Sequence, residues 1–201
     1  MELSKQLFKV VFLSIFFLST TFSQDIAAPK IAFQEKDSNS DSSLVGKDAP
    51  GIYLLNLDGD DFFLSQILNK DKFIFINFFA TWCAPCIEEL PDLDRLYKEN
   101  SDKMEMVIVD VNNLTTLNSE TGNVEVKEEK VEDVAKALED LDAIKLYDTY
   151  TTVAVDYKIS DNPVLPQSFL LSSGGIILWE SRGRLNDKEL EELNRMIGAK
   201  K

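Results

Sequence analysis

The residues best suited to chemistry in this chain are its two cysteines, Cys83 and Cys86. They stand three apart, as Cys83-Ala-Pro-Cys86, directly behind the apolar run Phe73–Phe79. Such a pair can be a redox couple that turns over, an inert bridge, or half of a metal site. An inert bridge normally closes a longer loop, and closing two intervening residues returns little entropy. A metal site as a rule needs four ligands, and the chain has no histidine to join two thiolates. The redox couple is the reading that these residues favour.

The missing histidine also removes Ser-His-Asp chemistry and Cys-His nucleophiles. A net charge of −14 argues against nucleic-acid binding, which needs a basic face. Hydrophobic and charged fractions of 44 % and 28 % are ordinary for a globular protein. The 201 residues are enough for one domain with a core of its own.

Residues 1–23 have the layout of an export signal: Lys5 and Lys9, an apolar stretch from Val10 to Phe22, then small residues ahead of Gln24. Cleavage there is expected, and residues 10–22 would otherwise remain as a membrane anchor. The segment lost would carry Glu2, Lys5 and Lys9, which takes the net charge from −14 to −15. No cysteine lies near the cut, so lipid attachment is not expected. Export would place the cysteine pair where thiols tend to oxidise unless something keeps them reduced. Residues 24–44, rich in Ser and Asp, read as a flexible tether, and residues 45–201 as the folded domain.

The elements that must position the cysteines follow from pattern. Asp58-Gly59 suits a tight hairpin between Ile52–Leu57 and Phe62–Leu64. Phe73–Phe79 is a near-continuous apolar run, the mark of a central strand covered on both faces. A helix over Cys86–Glu99 and a strand over Met104–Val111 complete a right-handed parallel crossover. Glu128–Asp142 is amphipathic, with Val131, Val134, Leu138 and Leu141 on one stripe. Ser168–Leu171 and Ile176–Glu180 flank Ser172–Gly175 as a second hairpin. A last helix spans Asp187–Gly198, capped by Asn186 with Glu189 three residues on. No internal repeats are present.

The order βαβ, helix, ββα, with Cys-x-x-Cys between the first strand and helix, resembles thioredoxin. The chain is most similar to the exported TlpA/ResA-type thiol–disulfide oxidoreductases. "VGKDAPGIYLLNLDGDDFFLS" resembles their N-terminal hairpin, "INFFATWCAPC" their active site, and "LPQSFLLSSGGII" their strand after a proline. The resemblance implies an α/β thioredoxin fold with an N-terminal β-hairpin extension, over Val45 to Gly198. It also implies a cis bond at Leu165-Pro166 opposite the cysteines, with the backbone of Leu165 pairing with a substrate peptide. Pro163 is a rival for that place. Pro91 resembles the family's kinking proline in the first helix. Asn77 stands where thioredoxins have a buried aspartate, and an amide cannot take a proton from Cys86. A base would have to come from elsewhere, or from water. ResA-type members have a glutamate where this chain has Ala84. Glu88 and Glu89 read as solvated helix charges.

Cys83 is expected at a helix N-terminus, where unpaired N–H groups and the helix dipole favour a thiolate. Trp82 before it and Ala84-Pro85 after it would leave Cys83 near the surface and Cys86 behind it. Cys83 would therefore attack a client disulfide, and Cys86 would resolve the adduct. Pro85 suits an early helical position, because its missing N–H would have no acceptor there. No cofactor is expected beyond this redox pair. The expected partners are disulfide-bearing exported proteins, apocytochrome c among the candidates, and a membrane electron donor. The absence of Cys-Pro-His-Cys favours a reductant. A partner-binding module with incidental redox, or an oxidase or isomerase, is the alternative. A peroxiredoxin would need a proline- and threonine-bearing loop ahead of its cysteine, and this chain has none. Residues 112–127 are long for a connection, suggesting a short hairpin around Gly122, and Asn113-Leu-Thr115 fits a glycosylation acceptor.

Overall fold

The computed structural model describes residues 43–111, 115–117, 124–126, 130–159 and 164–198, all within one unit spanning residues 41–201. The expected export segment, nearly all of the tether, Asn113 and Pro163 lie outside the described residues.

Asp58-Gly59 turns the first hairpin, β1 (Tyr53–Asn56) and β2 (Asp61–Phe63). Gly59 has φ 89°, a left-handed value that glycine adopts without a Cβ clash. The central strand β3 (Phe73–Phe79) runs into helix α1 (Ala84–Asn100), and β4 (Met104–Asp110) returns parallel to β3. A separate antiparallel pair follows, β5 (Thr115–Leu117) and β6 (Val124–Val126), in the segment where a hairpin was expected. Next come α2 (Val131–Ala137), β7 (Ile144–Tyr147) and α3 (Thr152–Asp156). The chain ends in β8 (Gln167–Leu171), β9 (Ile177–Arg182) and α4 (Asp187–Gly198). The main sheet has seven strands in the order β2-β1-β7-β4-β3-β8-β9.

Both faces of β3 are covered, as its apolar run requires. Phe78 meets Tyr157 and Phe169 on one face, with ring centroids 5.1 and 5.9 Å away. Asn77, one residue earlier, points to the opposite face and bonds a side chain of α1. Asn100 ties α1 to α4 through Asn194, at 2.7 Å.

Several boundaries differ from the sequence reading. Leu44, expected in the tether, is buried, and its N–H donates to Glu180. The helix expected over Glu128–Asp142 is shorter: it ends at Ala137, with Leu138 as its C-cap. Leu138 and Leu141 are still buried, but on a chain already turning into β7. β7 and α3 had no counterpart in the sequence reading. A four-residue strand carrying Lys145 and a five-residue helix rich in β-branched residues give weak periodic signals.

Candidate active site

Cys83 follows the end of β3 and is the N-cap of α1, in extended conformation at φ −88°, ψ 99°. Its sulfur accepts a hydrogen bond from the Cys86 N–H at 3.3 Å. That N–H also donates to the Cys83 carbonyl at 3.0 Å, and as part of the positive end of the helix it supports negative charge on the sulfur. Pro85 lies in the first turn, where it forfeits no helical hydrogen bond. The two cysteines are joined as a disulfide with Cα atoms 5.3 Å apart. Their residue exposures are 6 % and 1 %, so the expected order holds, although Cys83 is itself well covered. Ala84 and Pro85 are exposed beside them, and Trp82 is half-buried.

The Leu165-Pro166 bond is cis, as the resemblance implied. β8 begins at Gln167, opposite Phe78 near the end of β3. Leu165 and Pro166 therefore emerge at the same end of the sheet as the cysteines. The Pro166 carbonyl accepts from the Gly183 N–H at 2.8 Å. The hydrogen bonds of the described residues leave the backbone N–H and C=O of Leu165 unengaged. A client strand could use them.

Glu89 overturns the expectation of two solvated helix charges. Glu88 is exposed and pairs with Arg184 at 2.9 Å, but Glu89 has 0 % exposure. Glu89 accepts from Asn77 Nδ2 at 3.1 Å and from the Leu185 N–H at 2.7 Å. Asn77 in turn donates to Ser168 Oγ at 3.0 Å. Burial dominates the carboxyl's behaviour and raises its pKa from 4.5 to about 7, against the opposing pull of the two hydrogen bonds and of Arg184. Arg184 also reaches Asp92 at 3.5 Å.

Glu89 lies three residues after Cys86 on α1, which puts their Cβ atoms roughly 5–6 Å apart on one face. Asn77, expected beneath the cysteines, is not itself a base. It holds a carboxylate that can be one. The signal was present in the sequence: Cys86, Glu89, Leu93 and Leu96 form the buried stripe of α1, and an acid on an apolar stripe invites attention. Among the described residues no cluster of His, Cys, Asp and Glu could hold a metal ion.

The profile of the AhpC/TSA family matches residues 45–180. The chain belongs to that family. A Bacillus cereus protein named thiol-disulfide oxidoreductase ResA is 27 % identical over 202 residues, covering 98 % of this chain and 99 % of its own length. The thioredoxin-like protein YneN of Bacillus subtilis is 31 % identical, over 73 % of this chain and 76 % of YneN. A solved thiol-disulfide oxidoreductase from Bacteroides fragilis superposes with a TM-score of 0.58 at 23 % identity, over 75 % of this chain and 99 % of its own. That likeness shows the thioredoxin fold. This AhpC/TSA-family chain is a thiol–disulfide oxidoreductase of the ResA type, with a Cys pair at its active site.

Proposed function

We propose that the protein reduces disulfides in exported proteins, with Cys83 as nucleophile and Cys86 as resolving thiol. The observation that carries this reading is the pairing of an N-cap sulfur, Cys83, with a buried carboxyl, Glu89, one turn beyond the second cysteine.

In the reduced enzyme the Cys83 thiolate attacks one sulfur of a client disulfide. A bond forms between Cys83 Sγ and that sulfur, and the other client sulfur leaves as a thiolate that takes a proton. Glu89 then accepts the proton of the Cys86 thiol, directly or through a water. The Cys86 thiolate attacks Cys83 Sγ, closing the disulfide seen here and releasing the second client thiolate. Two electrons pass to the client, and a membrane protein would restore the dithiol. Trp82, Leu165 and Pro166 flank the reacting sulfur as the surface on which a client strand lies.

The layout of residues 1–23 supports an extracytoplasmic site of action. Among the described residues no helix is long and apolar enough to cross a membrane. Apocytochrome c, whose cysteines must be reduced for haem attachment, is one client class for this chemistry. The absence of Cys-Pro-His-Cys favours reduction over oxidation. Cys86→Ser is expected to trap a client as a mixed disulfide through Cys83, and the wild-type protein to reduce insulin disulfides. Intact insulin together with no adduct would overturn the reading, and a reduction potential well above the thioredoxin range, about −270 mV, would reverse the direction of electron flow.

A further inference from the structure

Beyond the cysteine site, exposed apolar side chains gather at one place on the far side of the sheet's active-site end. Tyr53, Leu55, Val131, Tyr147 and Tyr150 line a cleft of about 480 Å³. Tyr150 is 82 % exposed, Tyr53 61 % and Leu55 49 %. Phe63 stacks on Tyr53 with ring centroids 4.5 Å apart, which extends the apolar surface. Scattered single apolar residues need no explanation, but a contiguous aromatic patch on a chain otherwise rich in charge does.

The cleft arises from topology. β7 pairs with β1 only at Leu55 and Asn56, and the chain then leaves at Asp148 for α3. Tyr53 and Leu54 therefore have no strand beside them on that edge among the described residues. A single cross-strand row joins the cleft to the cysteine site: Phe79, Asp110, Tyr147 and Leu55 are successive partners across β3, β4, β7 and β1. Three strand spacings make that row about 14 Å long, a distance that about four or five extended residues would bridge. The cleft and the Leu165-Pro166 segment lie on opposite sides of β3.

The exposed charge around the cleft is predominantly acidic. The hairpin that forms one wall holds Asp58, Asp60 and Asp61 and no cation. The wall from Tyr147 to Asp156 adds the exposed Asp156, with Lys145 and Lys158 just beyond its two ends, while Asp148 is buried and accepts from the Thr152 and Ala154 N–H groups. The first turn of α2 adds Glu132 and Asp133 beside Lys130, the one basic residue in these three segments. A second copy of this chain would bring like charge against like, and its net charge of −14 opposes self-association further. A basic segment would be drawn in, with its cations over the faces of Tyr53 and Tyr150 and its apolar side chains in the cleft.

We propose that this cleft docks a cationic segment bearing aliphatic or aromatic side chains, supplied by the client protein at a distance from its disulfide. The proposal rests on the reductase reading for the identity of the client, and its test separates the two. The first probe is a fluorescent, cysteine-free peptide in which Lys alternates with Leu and Phe, titrated into the oxidised full-length protein. Its Kd is expected to be at least tenfold below that of the same peptide with Glu for Lys. Leu55→Ser and Tyr150→Ser, both at exposed positions, should each weaken it at least fivefold while thermal melting shows the fold retained. The second probe is a disulfide-closed peptide with and without the Lys-Leu-Phe tail, the tail lowering KM in the wild type and losing that effect in Leu55→Ser. Equal affinity for the Lys and Glu peptides, insensitivity to both substitutions, or a monomer–dimer equilibrium that Leu55→Ser abolishes would overturn the proposal. No turnover of the tail-less substrate would sink the reductase reading alone, because the cysteine-free peptide still decides the cleft.

Discussion

Ionising Glu89 in its buried place is costly, and that cost has a sign that can be followed with pH. The carboxyl titrates at about 7 in the fold against an ordinary 4.5. Between those values the folded chain keeps a proton that the unfolded chain has released, so stability falls as pH rises through that window, by about 3 kcal/mol in all. Glu89→Gln removes the titration and keeps an oxygen for the Leu185 N–H, at the cost of the hydrogen bond from Asn77 Nδ2. Urea denaturation from pH 5 to 8 should show a flatter curve for this variant, its stability relative to wild type rising toward pH 8. In activity the sign is opposite: the carboxylate form accepts the Cys86 proton, so the resolving step should accelerate as pH rises through about 7. Glu89→Gln should slow that step about 10²-fold and lose the inflection, read by stopped-flow release of the second client thiol. The cysteine pair was legible because its motif is local, and Leu165-Pro166 only through the family resemblance. Glu89 was not, because Glu88-Glu89 looks like surface charge until the phase of α1 is fixed. The stripe through Cys86, Leu93 and Leu96 fixes it.

At the scale of elements, legibility followed length and end chemistry. β3 takes the bounds its sequence implies, because six apolar residues out of seven in a row suit a doubly covered strand. The bounds of α4 were also read correctly, and its cap shows why. Asn186 Oδ1 accepts from the N–H groups of Lys188 and Glu189, at 3.0 and 3.2 Å, while Glu189 Oε2 accepts from the Asn186 N–H at 2.9 Å. Removing that side chain in Asn186→Ala should cost about 1 kcal/mol, measured as a shift in the urea midpoint at unchanged m-value. α2 was overestimated because Leu138 and Leu141 continue its apolar stripe, although the helix itself stops before Leu138. Helical spacing marks burial, and burial can continue where hydrogen bonding has changed. α1 runs on through Pro91, which is exposed, so the proline leaves the Cys86–Glu89 face intact.

For the whole molecule, the parallel centre of the sheet was readable from its hydrophobic runs, whereas the place of the N-terminal hairpin depended on β7. Without that short strand, nothing in the sequence joins Leu55 to Tyr147. The loop from Gly183 to Asn186 is a further product of assembly. Gly183 holds the Pro166 carbonyl, Arg184 pairs with Glu88, Leu185 holds Glu89, and Asn186 starts α4. Four consecutive residues thus fasten the client-facing segment, the proton acceptor and the last helix to one another. For anyone lengthening this protein, that makes the loop the wrong place to add residues. Two glycines inserted between Arg184 and Leu185 should raise KM and displace the inflection near pH 7 in the resolving step. The same insertion between Asp58 and Gly59 should leave that inflection where it is.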